Sequence, residues 1–374
     1  MNIQTSTPPS APPKKWAILV YSAADNDLKA AMVDDVDEME QVGSDDTTDL
    51  VVQLDEGGRE GARRLHLQPD PNPGLRSPVK ERLGSMNMST PESLADMIEW
   101  GVKNFPAEHY MVVLSDHGDG WKGALADDSH NGWMSLEDLE AGFRLARERT
   151  GIRPAIVGFD ACNMGALEVA YQLRNEADVL LASEKTESSE GWPYTPWLGP
   201  QALRAMQNVL IQVQGTPEEV AGTVVRAASQ AQDRIATLSA TRLVEMGPVA
   251  TALKDLSEAV VSTRTSRSVL QKLASGTKDF EGYRDLYDFC ERVSQSRNVK
   301  DEKLKKAAGQ MMESLSKAVF SEQHHPDEAG AHGLTLEIPS GRPPGGAYDK
   351  LALSGFTGWP AAQRKICGVS AQDR

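Results

Sequence analysis

Residues 110–121 read YMVVLSDHGDGW, a short apolar run that stops at Asp116-His117-Gly118. A run of this length without alternation is a strand buried on both faces. Residues 155–165, AIVGFDACNMG, have the same form and stop at Asp160-Ala161-Cys162. Around these two the first half alternates strand and helix. Residues 16–22 (WAILVYS), 50–54 and 179–182 are further apolar strands. Residues 27–42 carry Leu28, Met32, Val36 and Met39 at helical spacing. Thr90-Pro91-Glu92 starts a helix that runs to about 104, with a capping residue before a first-turn proline. Ser135 with Asp138 resembles a capping box and opens a helix to about 149. A helix over about 165–175 follows Cys162, and residues 57–84, rich in Gly, Pro and Arg, read as a hairpin and loops at one sheet edge.

Repeated β-α-β units imply an α/β fold, with a mostly parallel central sheet covered by helices on both faces. The second half is largely helical: about 198–212, 217–231, 243–263, 267–275, 284–296 and 302–319, with a strand at 235–238. A late strand, 333–339 (GLTLEIP), is expected to return to the core sheet. The expected organisation is a disordered tail over 1–14, a catalytic core over 15–200 and a mainly helical extension over 201–374.

The chain has 374 residues, a formal net charge of −15, and no apolar stretch long enough for a membrane span. An acidic surface disfavours phosphate backbones and anionic lipid, so neither nucleic acid nor membrane is expected as a partner. Three scattered cysteines, Cys162, Cys290 and Cys367, form neither a disulfide framework nor a zinc knuckle. Residues 1–15, MNIQTSTPPSAPPKK, lack the apolar centre of a secretory leader, and a cytoplasmic location is expected.

In open α/β sheets ligands bind beyond the carboxyl ends of the strands. Two such ends here present a histidine and a cysteine. If the strands are neighbours, His117 and Cys162 can share a proton across a cleft, with the backbone N–H groups of Gly118 and Cys162 as an oxyanion hole. Gly118 and Gly120 suggest close approach of a substrate chain. The N-terminus of the following helix would lower the Cys162 pKa. Two readings compete. One is a metal-dependent hydrolase on Asp116, His117 and Asp119. The other is a catalytically silent binding or assembly module, against which an intact histidine–cysteine pair speaks.

SDHGDGW at 115–121, FDACNMG at 159–165 and SEKTESSEGWPY at 183–194 resemble the clostripain family of cysteine peptidases. WAILVYSAADNDL at 16–28, GLTLEIPSG at 333–341 and YDKLALSGFTGW at 348–359 match in character and order, so the resemblance spans roughly residues 15–365. It implies a caspase-like sheet and an endopeptidase with a dyad at His117 and Cys162. It also implies cleavage after Arg or Lys, read by acidic side chains at Asp160 and Glu190. No cofactor is needed for such chemistry. Calcium is an activator of some relatives, for which Asp119, Asp127 and Asp128 are the candidate ligands. Many relatives cut themselves between the two strands, where Lys122 is the one basic residue before Arg144. An activating or inhibitory protein partner is a further expectation.

Overall fold

The structure is a computed structural model that describes residues 12–198, 215–231 and 234–369. Most of the expected tail and the helix expected at 198–212 lie outside the described residues. Strands β1 (Lys14–Ala23), β2 (Thr48–Asp55), β3 (Ala62–His66), β4 (Val79–Gly84), β5 (Ala107–Ser115), β8 (Ile156–Asp160), β9 (Val179–Ala182), β10 (Thr237–Arg242) and β13 (Val319–His324) form one nine-stranded sheet. Its order is β13-β10-β9-β8-β5-β1-β2-β3-β4. The five central strands are parallel, and the antiparallel pairs lie at the two edges. The sheet therefore draws strands from both sides of residue 200.

The apolar runs are continuous because both faces are covered. Along β1, Ala17, Leu19 and Tyr21 enter one core, while Trp16, Ile18 and Val20 enter the other. Helix α1 (Lys29–Val42) packs Met32, Val36 and Met39 on the second face. Helices α2 (Pro91–Asn104) and α3 (Leu136–Thr150) cover the first, as do most helices of the second half. The expected caps are present. Thr90 accepts from Ser93 N at 3.3 Å, and Ser135 and Asp138 bond reciprocally. No described helix is long and apolar enough to cross a membrane.

The late strand does not join the core sheet. Its paired residues, β14 (Thr335–Leu336), run antiparallel to β12 (Tyr283–Asp285), which also pairs with β11 (Asp279–Phe280). The edge it would have needed is taken by β13, an unforeseen strand paired with β10. Thr335 N instead donates to Gly165 O at 2.9 Å, which sets this small sheet beside the turn after β8. A hairpin of β6 (Ala124–Asp127) and β7 (Gly132–Met134) follows the His117 loop.

Several carboxyls are buried deeply enough to favour their protonated form. Burial pushes Asp55 up to about 6 and Glu168 up to about 7. A carboxyl raised on folding binds more protons in the folded state, so its contribution is full below the ordinary carboxylate range and is lost as pH rises through the raised value. His332, also raised, acts in the same direction. The melting temperature is therefore expected to be higher at pH 5 than at pH 8 by differential scanning calorimetry. A rise over that interval would contradict these burials.

Candidate active site

Strands β5 and β8 are hydrogen-bonded neighbours in parallel register, with Ser115 opposite Asp160. Two residues further along each strand stand His117 and Cys162, so the sheet delivers both side chains to the same level. Both line a cleft of about 240 Å³ at the carboxyl end of the sheet. Where the chains leave the sheet they remain in contact. Asp116 N donates to Asp160 O at 3.2 Å, and a Cβ at Gly118 would lie 2.5 Å from the Cys162 carbonyl oxygen. The glycine at 118 thus makes room for the chain's own cysteine turn, and that at 120 for the Tyr283 ring, 2.7 Å from its would-be Cβ.

His117 Nε2 lies 2.7 Å from Asp27 Oδ1, on the loop after β1. With Nε2–H donating to the carboxylate, the lone pair rests on Nδ1. The Cys162 thiol makes one weak contact, 3.9 Å to Glu187 O, and no described hydrogen bond joins it to His117. Burial pushes this thiol up, reinforced by the Glu281 and Asp160 charges. The expected lowering by a helix N-terminus does not occur. Helix α4 (Leu167–Gln172) begins five residues beyond the cysteine, after a turn in which Asn163 takes φ 60°. Among the described residues, Gly118 N–H donates to no protein acceptor, and Cys162 N–H turns only toward its own sulfur. A half-buried thiol, an imidazole and two backbone amides at one cleft are the parts that acyl transfer through a covalent intermediate requires.

Asp160, 6% exposed, accepts from Tyr194 Oη at 2.7 Å, and burial holds its carboxyl up. Glu190 does not join it. Its carboxylate is exposed and pairs with Arg234 Nε at 3.0 Å beside a separate hollow. The reason is a turn: Gly191 N bonds Ser188 O at 3.1 Å and Gly191 takes φ 59°, which points Glu190 outward and leaves Glu187 on the cleft. Asp35 of α1 lines the same cleft. Sequence reasoning missed Asp35, Glu187 and Asp27. It also missed Glu281, whose carboxylate accepts from Thr186 N at 3.2 Å and Asn163 Nδ2 at 3.4 Å and so ties together the two loops flanking the cysteine.

The metal-hydrolase trio is not assembled. Asp116 accepts from Asn26 Nδ2 at 2.7 Å and from Ala126 N, while Asp119 takes Lys122 Nζ and Tyr283 Oη, each at 2.7 Å. The calcium candidates also separate. Asp127 meets Asp25 and His130, with ligand atoms within 4.8 Å of one another. Its oxygens already accept from Met88 N at 2.9 Å and from His130 N at 3.0 Å. Three side chains, one of them an imidazole, do not fit the six to eight oxygens calcium takes.

Residues 20–340 match the model of the clostripain family, peptidase C11. The chain belongs to the clostripain family. It is therefore a cysteine protease, a peptide hydrolase, and the silent-module reading falls. The chain is 24% identical over 397 residues to clostripain of Hathewaya histolytica, covering 88% of this chain and 75% of that protein. Its fold is shared with a secreted C11 cysteine protease from Bacteroides thetaiotaomicron in complex with an irreversible peptide inhibitor. The TM-score is 0.69 at 19% identity, over 92% of this chain and 99% of that one. An inactive zymogen C11 protease from Parabacteroides distasonis gives a TM-score of 0.67 at 19% identity, over 93% and 99%. A further C11 structure from B. thetaiotaomicron, iotapain, is also of a secreted protease, with a TM-score of 0.72 at 15% identity over 93% and 100%. The cytoplasmic expectation is corrected by these secreted family structures, which a default drawn from the first residues of the sequence does not outweigh.

Proposed function

We propose that this clostripain-family protease is an endopeptidase that cuts after arginine or lysine, with Cys162 as nucleophile and His117 as its base. The observation that carries the reading is the shared register. Ser115 faces Asp160, so His117 and Cys162 emerge side by side onto a cleft lined by carboxylates. Because burial keeps the resting thiol protonated, His117 Nδ1 takes its proton as sulfur attacks the carbonyl carbon, and Asp27 holds the imidazole. The backbone amides of Gly118 and Cys162 receive the oxyanion. His117 returns the proton to the leaving amine, and water attacking the thioester releases the product.

The acidic lining supports a basic residue before the cut. Asp160 stands two residues before the nucleophile, with Glu187 and Asp35 around it. A guanidinium or ammonium entering this cleft meets carboxylates in a poorly hydrated setting, where charge-assisted hydrogen bonds are strong. Fluorogenic peptides that differ only in the residue before the cut test this. Arginyl and lysyl peptides are expected to be hydrolysed at least about 100-fold more efficiently than leucyl or aspartyl ones. Equal rates across the set would overturn the basic preference.

A further inference from the structure

Asp35 takes no part in the pairings described above. It lies on the buried side of α1, is 6% exposed, and among the described residues forms no hydrogen bond or ion pair through its carboxylate. A Cβ at Gly191 would lie 2.5 Å from one of its oxygens, so α1 presses on the Glu187 loop where that loop has no side chain. Glu187 lines the same cleft. Its Oε1 accepts from Trp192 Nε1 at 3.3 Å, and its buried carboxyl, when protonated, faces Asp160 as a donor. Asp160 accepts from the Tyr194 hydroxyl and the Trp192 backbone N–H, and the protonated Glu187 carboxyl donates to it.

Three carboxyl groups thus surround one small cleft, two of them sharing a proton, with a phenol and an indole as the other side-chain donors and, among the described residues, no cation paired to any of them. The charged groups around Asp35 are Asp34 and Glu38 on α1, Asp160 at the end of β8, Glu187 and Glu190 on the loop, and Arg234; Asp116 and His117 line the cleft further out. Arg234 is held by Glu38 at 3.2 Å and by Glu190 at 3.0 Å. Burial and the neighbouring carboxylates push Asp35 up to about 9, and Asp160 and Glu187 are raised for the same reasons. Like charges this close in a buried site cannot all ionise without a counter-ion.

We propose that Asp35 is a specificity-determining residue of the cleft, which with Asp160 and Glu187 holds protons while the cleft is empty and releases one to solvent when a guanidinium enters. The inference rests on the basic-residue reading and goes further, since it couples arginine binding to proton release. It also favours arginine over lysine. A planar guanidinium with five donors can engage carboxylates on two sides, whereas an ammonium acts as a single point.

The test uses the unaltered full chain and a tripeptide ending in agmatine, which carries the guanidinium but no carbonyl to attack. Its pentylamide counterpart is the neutral control. Calorimetric titrations in buffers of different ionisation enthalpy count the protons released. About one proton per peptide is expected at pH 7, with affinity tightening up to about tenfold per pH unit between pH 6 and 8. Asp35→Asn, close to isosteric, is expected to weaken agmatine-peptide binding by about tenfold and to flatten that pH dependence. Tight binding with no proton release, or an unchanged proton count in Asp35→Asn, overturns the role of Asp35 and leaves the basic-residue reading standing. If the agmatine peptide binds no better than the pentylamide, the basic-residue reading fails and the proposal fails with it.

Discussion

Replacing Cys162 with alanine is expected to lower cleavage of an arginyl peptide by at least about 10⁴-fold, because the attacking atom is gone and the other parts of the site act only through it. The fold should survive the change. The thiol is partly exposed, and among the described residues its hydrogen bonding to another residue is limited to the weak 3.9 Å approach to Glu187 O. The melting temperature and the far-ultraviolet circular dichroism of the variant should therefore match those of the parent. Cys290 and Cys367 provide an internal control. Both are fully buried, and the Cys290 thiol is pushed well up by burial, so a thiol reagent that abolishes activity should reach Cys162 first. Retained cleavage in Cys162→Ala would place the nucleophile elsewhere.

The second large effect concerns the substrate. Asp160→Asn keeps the shape and can still accept from Tyr194 Oη, but removes a carboxylate from the wall of the cleft. Losing one partner of a buried charged pair costs about 2–5 kcal/mol. The expected result is a fall of about 100-fold or more in kcat/KM for an arginyl peptide, carried mainly by KM, together with collapse of the arginine-to-leucine ratio. Steady-state kinetics on the two peptides measures both. If kcat falls and the ratio is kept, Asp160 serves the cysteine turn and not the substrate.

Much of the fold is legible locally. The runs at 110–115 and 155–159 are apolar without alternation because helices cover both faces of the sheet, and the caps at Thr90 and Ser135 depend on side chains only three residues away. The histidine and cysteine are legible because each directly follows such a run. What the sequence conceals depends on long-range contacts. Strand β13 carries a mixed polar sequence, VFSEQH, suited to a half-exposed edge, and only its pairing with β10 defines it. That pairing is also what sends the 333–339 segment away from the main sheet.

The acidic wall divides in the same way. Asp160 is reached through the family resemblance, two residues before Cys162, and it lines the cleft. Glu190 was the wrong partner because the Ser188–Gly191 turn reverses the chain, and no residue spacing reveals which way the turn points. Asp35 had a signal: it stands on the apolar stripe of α1 between Met32 and Met39, where a carboxylate is out of place unless it has a task. Any helix-dipole effect on Cys162 is outweighed by burial of the thiol, and the helix itself begins only at Leu167, five residues further on.

In the proposed reaction Cys162 attacks the carbonyl carbon of the basic residue before the cut. The most direct measurement is the reaction of the unaltered chain with a peptidyl-arginine chloromethyl ketone, followed by intact mass and peptide mapping. The account predicts a single adduct on Cys162, formed at least about 100-fold faster than with the leucyl analogue. An adduct on another residue, or equal rates for the two reagents, would contradict it.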